Sequence, residues 1–169
     1  FGNCGYSLPT TIGAKAAAMD RPAVAYAGDG AWGMSMSELM TAVRHDIPVT
    51  AVVYHNRQWG AEKKNQVDFY NRRFVAGELE SESFAGIAIA MGAEGIVVDK
   101  LEDVGPAFKR AIDMQMKEGK TCVIEIMCTR ELGDPAEGLL AAALQFRANG
   151  SCPTPSSGAA PSDQDRASG

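Results

Sequence analysis

Residues 23–30 read AVAYAGDG and residues 49–56 read VTAVVYHN. Each is a short apolar run that stops at residues able to turn the chain or to hold a ligand. Ala23 to Ala27 predicts a buried strand closed by a tight turn at Gly28-Asp29-Gly30. Val49 to Tyr54 is continuous rather than alternating, the mark of a strand covered on both faces. Between the two runs, Met36, Leu39, Met40 and Val43 recur at helical spacing. Either Ser35 or Ser37 caps that helix, and His45-Asp46-Ile47-Pro48 ends it.

The same reading extends outward in both directions. Upstream, Pro9 to Met19 predicts a helix with Pro9 near its first turn. Downstream, Arg57 to Gly77 carries many charges and no clear period, which predicts a long loop excursion of the kind that often bears function. Ser83 opens a helix through Phe84, Ile87, Ala88 and Met91, with Gly92 past its end. Gly95 to Val98 is a strand. Leu101, Val104, Phe108, Ile112 and Met116 mark a longer helix that stops at Gly119, and Cys122 to Met127 is a further strand. Alternation of this kind argues for an α/β fold, a doubly wound parallel sheet with helices on both faces. Ligands in such sheets sit beyond the carboxyl ends of the strands, which puts Gly28-Asp29-Gly30 and His55-Asn56 on one rim.

The chain has 169 residues, 46% hydrophobic and 22% charged, which is globular composition and excludes a wholly disordered or collagen-like chain. Sixteen Lys and Arg against twenty-one Asp and Glu give a net charge of −5, so neither nucleic acid nor an anionic membrane is expected as a partner. No apolar run approaches the roughly 20 residues of a membrane span. The four cysteines, Cys4, Cys122, Cys128 and Cys152, form no C-x-x-C pair. They read as reduced thiols of a cytoplasmic protein, not as a disulfide scaffold or a zinc site. No charged region followed by an apolar one comes after Phe1, so the opening residues are not expected to be a signal peptide. FGNCGYSLP reads instead as the interior of a domain, so the chain is expected to begin inside a longer protein.

Composition changes near residue 136. Asp134-Pro135-Ala136-Glu137 has the form of a helix start, and Leu139, Leu140, Ala143 and Leu144 would be its apolar stripe over residues 136–147. From Arg147 onward, fifteen of 23 residues are Ser, Ala, Pro or Gly, too little apolar matter for a core. Residues 148–169 are therefore expected to be a disordered C-terminal tail, and residues 1–135 to be the folded domain.

Gly28-Asp29-Gly30 is separated from His55-Asn56 by 24 residues. The glycines permit a sharp turn and let backbone amides approach a phosphate. Asp29 offers a hard anionic oxygen, and Asn56 a neutral amide oxygen from the next strand tip. Together with a backbone carbonyl, a water and two diphosphate oxygens, they would complete an octahedron around Mg²⁺ at about 2.0–2.1 Å. The helix near Ser35 would aim its amino end at the same anion. A lone GDG is most often an ordinary β-turn; two half-motifs on consecutive strands are far more specific.

This pair resembles the diphosphate-binding motif of thiamine diphosphate enzymes, in which GDG is followed after some two dozen residues by NN. His55 stands in place of the first Asn, and Asn56 keeps the second. The resemblance implies thiamine diphosphate and Mg²⁺ as cofactors, with Asp29 and Asn56 as side-chain metal ligands and Gln58 as a main-chain ligand. It also implies cofactor contacts from Gly28, Asp29, Gly30, Ala31, Asn56, Trp59 and Gly60. A second family segment, G-x-[M/L/I]-G-x-x-L-P, is matched by Gly2-Asn3-Cys4-Gly5-Tyr6-Ser7-Leu8-Pro9. Gly2, Asn3 and Cys4 thereby join the cofactor set, with Cys4 a smaller buttress than usual. The family's activating glutamate lies in a pyrimidine-binding domain of the same or a partner subunit, and no Glu here matches its motif. No catalytic residue is therefore assigned within the chain.

Within the family, residues 28–40, 44–81 and 119–135 resemble the branch that acts on sulfoacetaldehyde, releasing sulfite and passing the acetyl group to phosphate in sulfonate (taurine) breakdown. This resemblance ends at about Pro135. It implies a homo-oligomer when intact, with one face of the domain buried against partner domains. The other readings are an acetolactate synthase-like carboligase or decarboxylase, and a folded fragment without catalysis. Arg57, Lys63, Lys64, Arg72 and Arg73 are either an anion-attracting rim or a solvated surface. His55 either touches the site or is a hydrogen-bonded structural residue. His45 is expected exposed. Trp32 and Trp59 are core by default and otherwise pack near the cofactor or at a subunit interface, and Cys122 and Cys128 pack rather than react.

Overall fold

A computed structural model describes residues 3–132. Helix α1 (Ser7–Ala17) precedes strand β1 (Val24–Gly28), which passes directly into the short helix α2 (Asp29–Gly33). A 3-10 turn (Met36–Glu38) leads into α3 (Leu39–Arg44), followed by β2 (Thr50–His55) and α4 (Gly60–Phe69). Then come α5 (Phe84–Ala90), β3 (Glu94–Val98), α6 (Leu101–Asp113), a π-helical turn (Met114–Glu118) and β4 (Cys122–Met127). The four strands pair in parallel in the order β1-β2-β4-β3. β2 and β4 are central, and each is buried through its first four residues.

Two cores lie on opposite faces of this sheet. Leu8 and Ile12 of α1, Trp32 of α2, Leu39 and Ala42 of α3, and Phe84 and Ala88 of α5 pack on Ala25, Ala51, Val53 and Val123. Ala107 and Ala111 of α6, with Met114, pack on Val52, Val98, Cys122 and Ile124. The expected helices on both faces are thus present. On the α6 side no described helix covers the β1 end of the sheet, and Tyr26 and Tyr54 are 52% and 45% exposed.

Local chemistry explains the junctions. Ser83 caps α5 by accepting the Gly86 N–H at 3.1 Å. Gly92 leaves that helix at φ +87°, and α5 then lies so close to β3 that a Cβ on Gly95 would come within 2.4 Å of the Ala85 carbonyl oxygen. The buried Lys15 donates to the Met19 and Arg21 carbonyls, each at 2.7 Å, tying off the chain beyond α1. Gln115 pairs its side-chain amide with both backbone groups of Ala23, at 3.1 and 2.7 Å, just ahead of β1.

Several expectations need correction. Gly28-Asp29-Gly30 is a strand-to-helix junction, because Asp29 already has helical geometry. Neither Ser35 nor Ser37 provides a side-chain cap; the segment re-enters through a 3-10 turn, and Met40 is exposed. The excursion from Arg57 to Gly77 contains α4, a helix with no buried residue and hence no apolar period to read. Leu101 and Met116, expected in the stripe of α6, are exposed, while Val104 and Phe108 do pack, around the buried Ala107, Ala111 and Met114. Gly2, the helix at 136–147 and the tail at 148–169 lie outside the described residues. Among the described residues no helix is long and apolar enough to cross a membrane.

Candidate functional site

β1 and β2 are neighbours, with Gly28 beside Tyr54, so their carboxyl ends release Asp29 and Asn56 side by side. Asp29 is 3% exposed. Its Oδ2 accepts two backbone N–H groups from the other strand's exit, Asn56 at 3.1 Å and Arg57 at 2.6 Å. Its Oδ1 accepts the Gly30 N–H at 2.8 Å. This carboxylate is what curls the chain after β2, where Arg57 takes a left-handed φ of +57°.

The turn is stabilised by its own amides. Asn56 Oδ1 accepts the Gln58 N–H at 3.2 Å, an Asx turn. Gln58 forms an antiparallel bridge with Glu78: Trp59 N–H donates to the Gly77 carbonyl, and Leu79 N–H to that of Arg57. Such a bridge turns Gln58's own N–H and C=O away from Glu78. The Gln58 side chain is buried and engaged elsewhere, donating to the Arg130 carbonyl at 2.8 Å and accepting from Lys63 at 3.1 Å.

The remaining residues close the site. The Trp59 ring lies over Gly30, where an added Cβ would come within 2.8 Å of three ring atoms. A Cβ on Gly60 would stand 3.4 Å from Asn56 Nδ2. Asn3 is exposed and starts a turn in which its carbonyl accepts the Tyr6 N–H. Cys4 lines a cleft of about 660 Å³ with Met34, Trp59, Glu62, Gln66 and Val75. Gly28 is exposed and Ala31 half-buried, flanking Asp29 and Gly30. Of the expected site residues, Gly28, Asp29, Gly30, Ala31, Asn56, Gln58, Trp59 and Gly60 therefore gather at the rim of β1 and β2, Cys4 reaches the same cleft as Trp59, and Asn3 lies in the turn ahead of α1.

The donor set suits a hard cation bound through a diphosphate. An ionised carboxylate oxygen offers about two lone-pair positions. Asp29 Oδ2 is filled by two N–H groups, whereas Oδ1 and Asn56 Oδ1 each accept one and keep one. Among the described residues no three of His, Cys, Asp and Glu converge as a metal cage.

Sequence reasoning left the role of His55 open, and here it is a buried structural partner. Its Nδ1 donates to Glu125 Oε1 at 2.6 Å, and its Nε2 lies 2.8 Å from Ser81 Oγ. Burial pushes the Glu125 carboxyl up, but the Ser83 hydroxyl, the Ala85 N–H and His55 outweigh it and hold that carboxyl below its ordinary value. Glu125, Ser81 and Ser83 were missed, although Glu125 is the one charge inside CVIEIM, which is a legible signal. Of the basic residues, Lys63 and Arg130 pair with Glu78, and Lys64 pairs with Asp68 at 2.7 Å. Arg57, Arg72 and Arg73 are exposed, as is His45. Trp32 is core, Cys122 is buried and Cys128 is half-buried.

A relative described as sulfoacetaldehyde acetyltransferase, from Alcaligenes xylosoxydans xylosoxydans, is 88% identical over 135 residues, covering 80% of this chain and 22% of its own length. One of the same description from Castellaniella defragrans is 84% identical over 135 residues, covering 80% and 23%. The chain thus spans under a quarter of the length of these relatives. A solved thiamine diphosphate-dependent 4-hydroxybenzoylformate decarboxylase from Rhodococcus jostii RHA1 superposes with a TM-score of 0.71 at 25% identity, over 78% of this chain and 24% of that one. The family model of the thiamine pyrophosphate enzyme C-terminal TPP-binding domain matches residues 1–126, so the chain belongs to that family.

Proposed function

We propose that residues 1–135 form the diphosphate-binding domain of an acetyltransferase that converts sulfoacetaldehyde and phosphate to acetyl phosphate and sulfite. The observation that carries this reading is the 88% identity to a relative of that description over 135 of the 169 residues. In this reading Asp29 Oδ1, Asn56 Oδ1 and the Gln58 carbonyl hold Mg²⁺. Gly28, Gly30 and Ala31 admit the diphosphate, and Trp59 and Gly60 border it. Gly2, Asn3 and Cys4 support the cofactor, with Cys4 lining the same cleft as Trp59.

Thiamine diphosphate supplies, when bound, the nucleophilic carbon that attacks the aldehyde. The chain's own part is to anchor and orient. Asp29 carries the charge that balances the metal, while its Oδ2 fixes the turn that presents Asn56 and Gln58. The activating glutamate comes from a pyrimidine-binding domain of the same or a partner subunit, in a homo-oligomer. The open sheet face around Tyr26 and Tyr54 is a surface suited to such a neighbour.

The test is a chimaera in which residues 1–135 replace the matching segment of the Castellaniella relative. Release of sulfite with an equal amount of acetyl phosphate, dependent on added phosphate, is the expected result. Carbon dioxide from pyruvate without sulfite release would replace this reading with a carboligase or decarboxylase. The chain by itself, given cofactor and phosphate, is expected to release no sulfite.

A further inference from the structure

The metal turn Asn56–Gln58 is held from two sides. On one side is Asp29. On the other, Gly77–Leu79 lies antiparallel across Arg57–Trp59, joined by the Trp59-to-Gly77 and Leu79-to-Arg57 backbone bonds of 2.9 and 3.0 Å. Two residues further on, Ser81 Oγ meets His55 Nε2 at 2.8 Å. His55 is the last residue of β2 and is 1% exposed. Its opposite nitrogen bonds Glu125 Oε1 at 2.6 Å, and its ring edge packs on Phe84 at 4.9 Å between centroids. Glu125 is anchored in turn, its Oε2 accepting from Ser83 Oγ at 2.6 Å and the Ala85 N–H at 2.9 Å.

An imidazole carries hydrogen-bonding groups at two well-separated corners, so one ring joins the sheet interior to a surface segment. An asparagine at position 55 has a single short amide and cannot span from Glu125 to Ser81. Ser81 belongs to no helix or strand and to neither core. Its bond to His55 therefore acts on the segment Gly77–Ser81 as a strap, and through the strap on the turn beneath it.

We propose that Ser81, His55 and Glu125 are positioning residues for the metal turn. They form a tie that keeps the Gly77–Ser81 strap closed over Asn56–Gln58 and sets how tightly that turn holds its ligand, without touching the reacting atoms. The identity of the ligand, a Mg²⁺-bound diphosphate, rests on the reading under Proposed function; the tie itself does not.

The experiment compares Ser81→Ala and Ser81→Thr with the unchanged 169-residue chain. Amide hydrogen exchange without ligand is read at residues 56–59 and 77–80. Losing one such hydrogen bond is expected to speed exchange there by about fivefold in Ser81→Ala, with helices α1 and α6 unaffected and the rate restored in Ser81→Thr. In the chimaera, Ser81→Ala should raise the KM for thiamine diphosphate with Mg²⁺ by a similar factor at unchanged kcat. Exchange that is unaltered, or accelerated evenly over the domain, overturns the tie, as does a fall in kcat at unchanged cofactor KM. Local acceleration in the 169-residue chain, with a chimaera that shows no response to thiamine diphosphate, supports the tie and overturns the cofactor reading instead.

Discussion

Asp29 and Asn56, 27 residues apart in the chain, meet through a 3.1 Å bond from the Asn56 backbone N–H to the Asp29 carboxylate. A second bond, from Arg57 N–H at 2.6 Å, lands on the same oxygen. One side chain therefore closes the exit of β2, and its other oxygen, which accepts only the Gly30 N–H, is the one proposed to meet the ligand. Replacing Asp29 by Asn sets an amide NH₂ or a weaker neutral oxygen against those two donors. The expected cost is about 1–3 kcal/mol of folding stability. In the sulfoacetaldehyde chimaera, stabilisation by Mg²⁺ with thiamine diphosphate should vanish as well. Thermal unfolding with and without cofactor reads both effects. A variant as stable and as responsive as the parent would remove Asp29 from the site.

Two glycines are predicted to differ in their tolerance of a methyl group. At Gly30 the obstacle is the Trp59 ring at 2.8 Å, a side chain that can swing aside. At Gly95 it is the Ala85 backbone, with its carbonyl oxygen 2.4 Å away, and only a shift of α5 relieves it. Gly95→Ala should cost about 3 kcal/mol, at the upper end of overpacking penalties, and Gly30→Ala about 1 kcal/mol. Adding Trp59→Ala should recover the stability lost in Gly30→Ala but not that lost in Gly95→Ala. Urea unfolding of the four variants decides it, and equal costs at the two glycines would count against the packing described.

How much of this was legible follows from where each residue's signal comes from. β2 and β4 stand out because central parallel strands must be apolar along their whole length. The residues proposed to hold the metal stand out because Gly-Asp-Gly and Asn at adjacent strand tips are, as a pair, far more specific than a lone Gly-Asp-Gly turn. α4 escaped because a helix that buries nothing shows no apolar period. α2 escaped because Asp29, Gly30 and Gly33 favour turns locally, and Trp32, buried to 2% exposure, pulls them into helix through tertiary packing. The strap was invisible because its ties, Ser81 to His55 and Gly77 to Trp59, join residues 26 and 18 positions apart.

Glu125 makes stability depend on acid pH. Held below its ordinary value of 4.5 in the folded state, it binds its proton less readily there than in the unfolded chain. Its contribution is full above the ordinary value and is lost as pH falls through the folded one. Glu125→Gln removes that contribution and leaves His55 without its carboxylate, a loss of about 2 kcal/mol at neutral pH. The gap between the parent and Glu125→Gln should narrow as urea unfolding is repeated from pH 6 down through the range below 4.5. A gap that stays constant across this range would show that Glu125 is not ionised in the folded protein.

Cys122 gives the opposite dependence at the alkaline end. Burial, with a smaller contribution from Glu94, pushes its thiol from 9.0 up to about 11. The unfolded chain releases this proton first, so stability should decline as pH rises from 9 towards 11. A thiol that is both inaccessible and protonated does not alkylate. Iodoacetamide at pH 8 should therefore modify the half-buried Cys4 and Cys128 while Cys122 stays unmodified until urea unfolds the chain. Cys128 should be the slower of the two, because burial raises its thiol as well. Peptide mass spectrometry after timed labelling separates the three sites. Modification of Cys122 at the rate of Cys4 in the folded protein would mean that α6 does not cover the sheet as described.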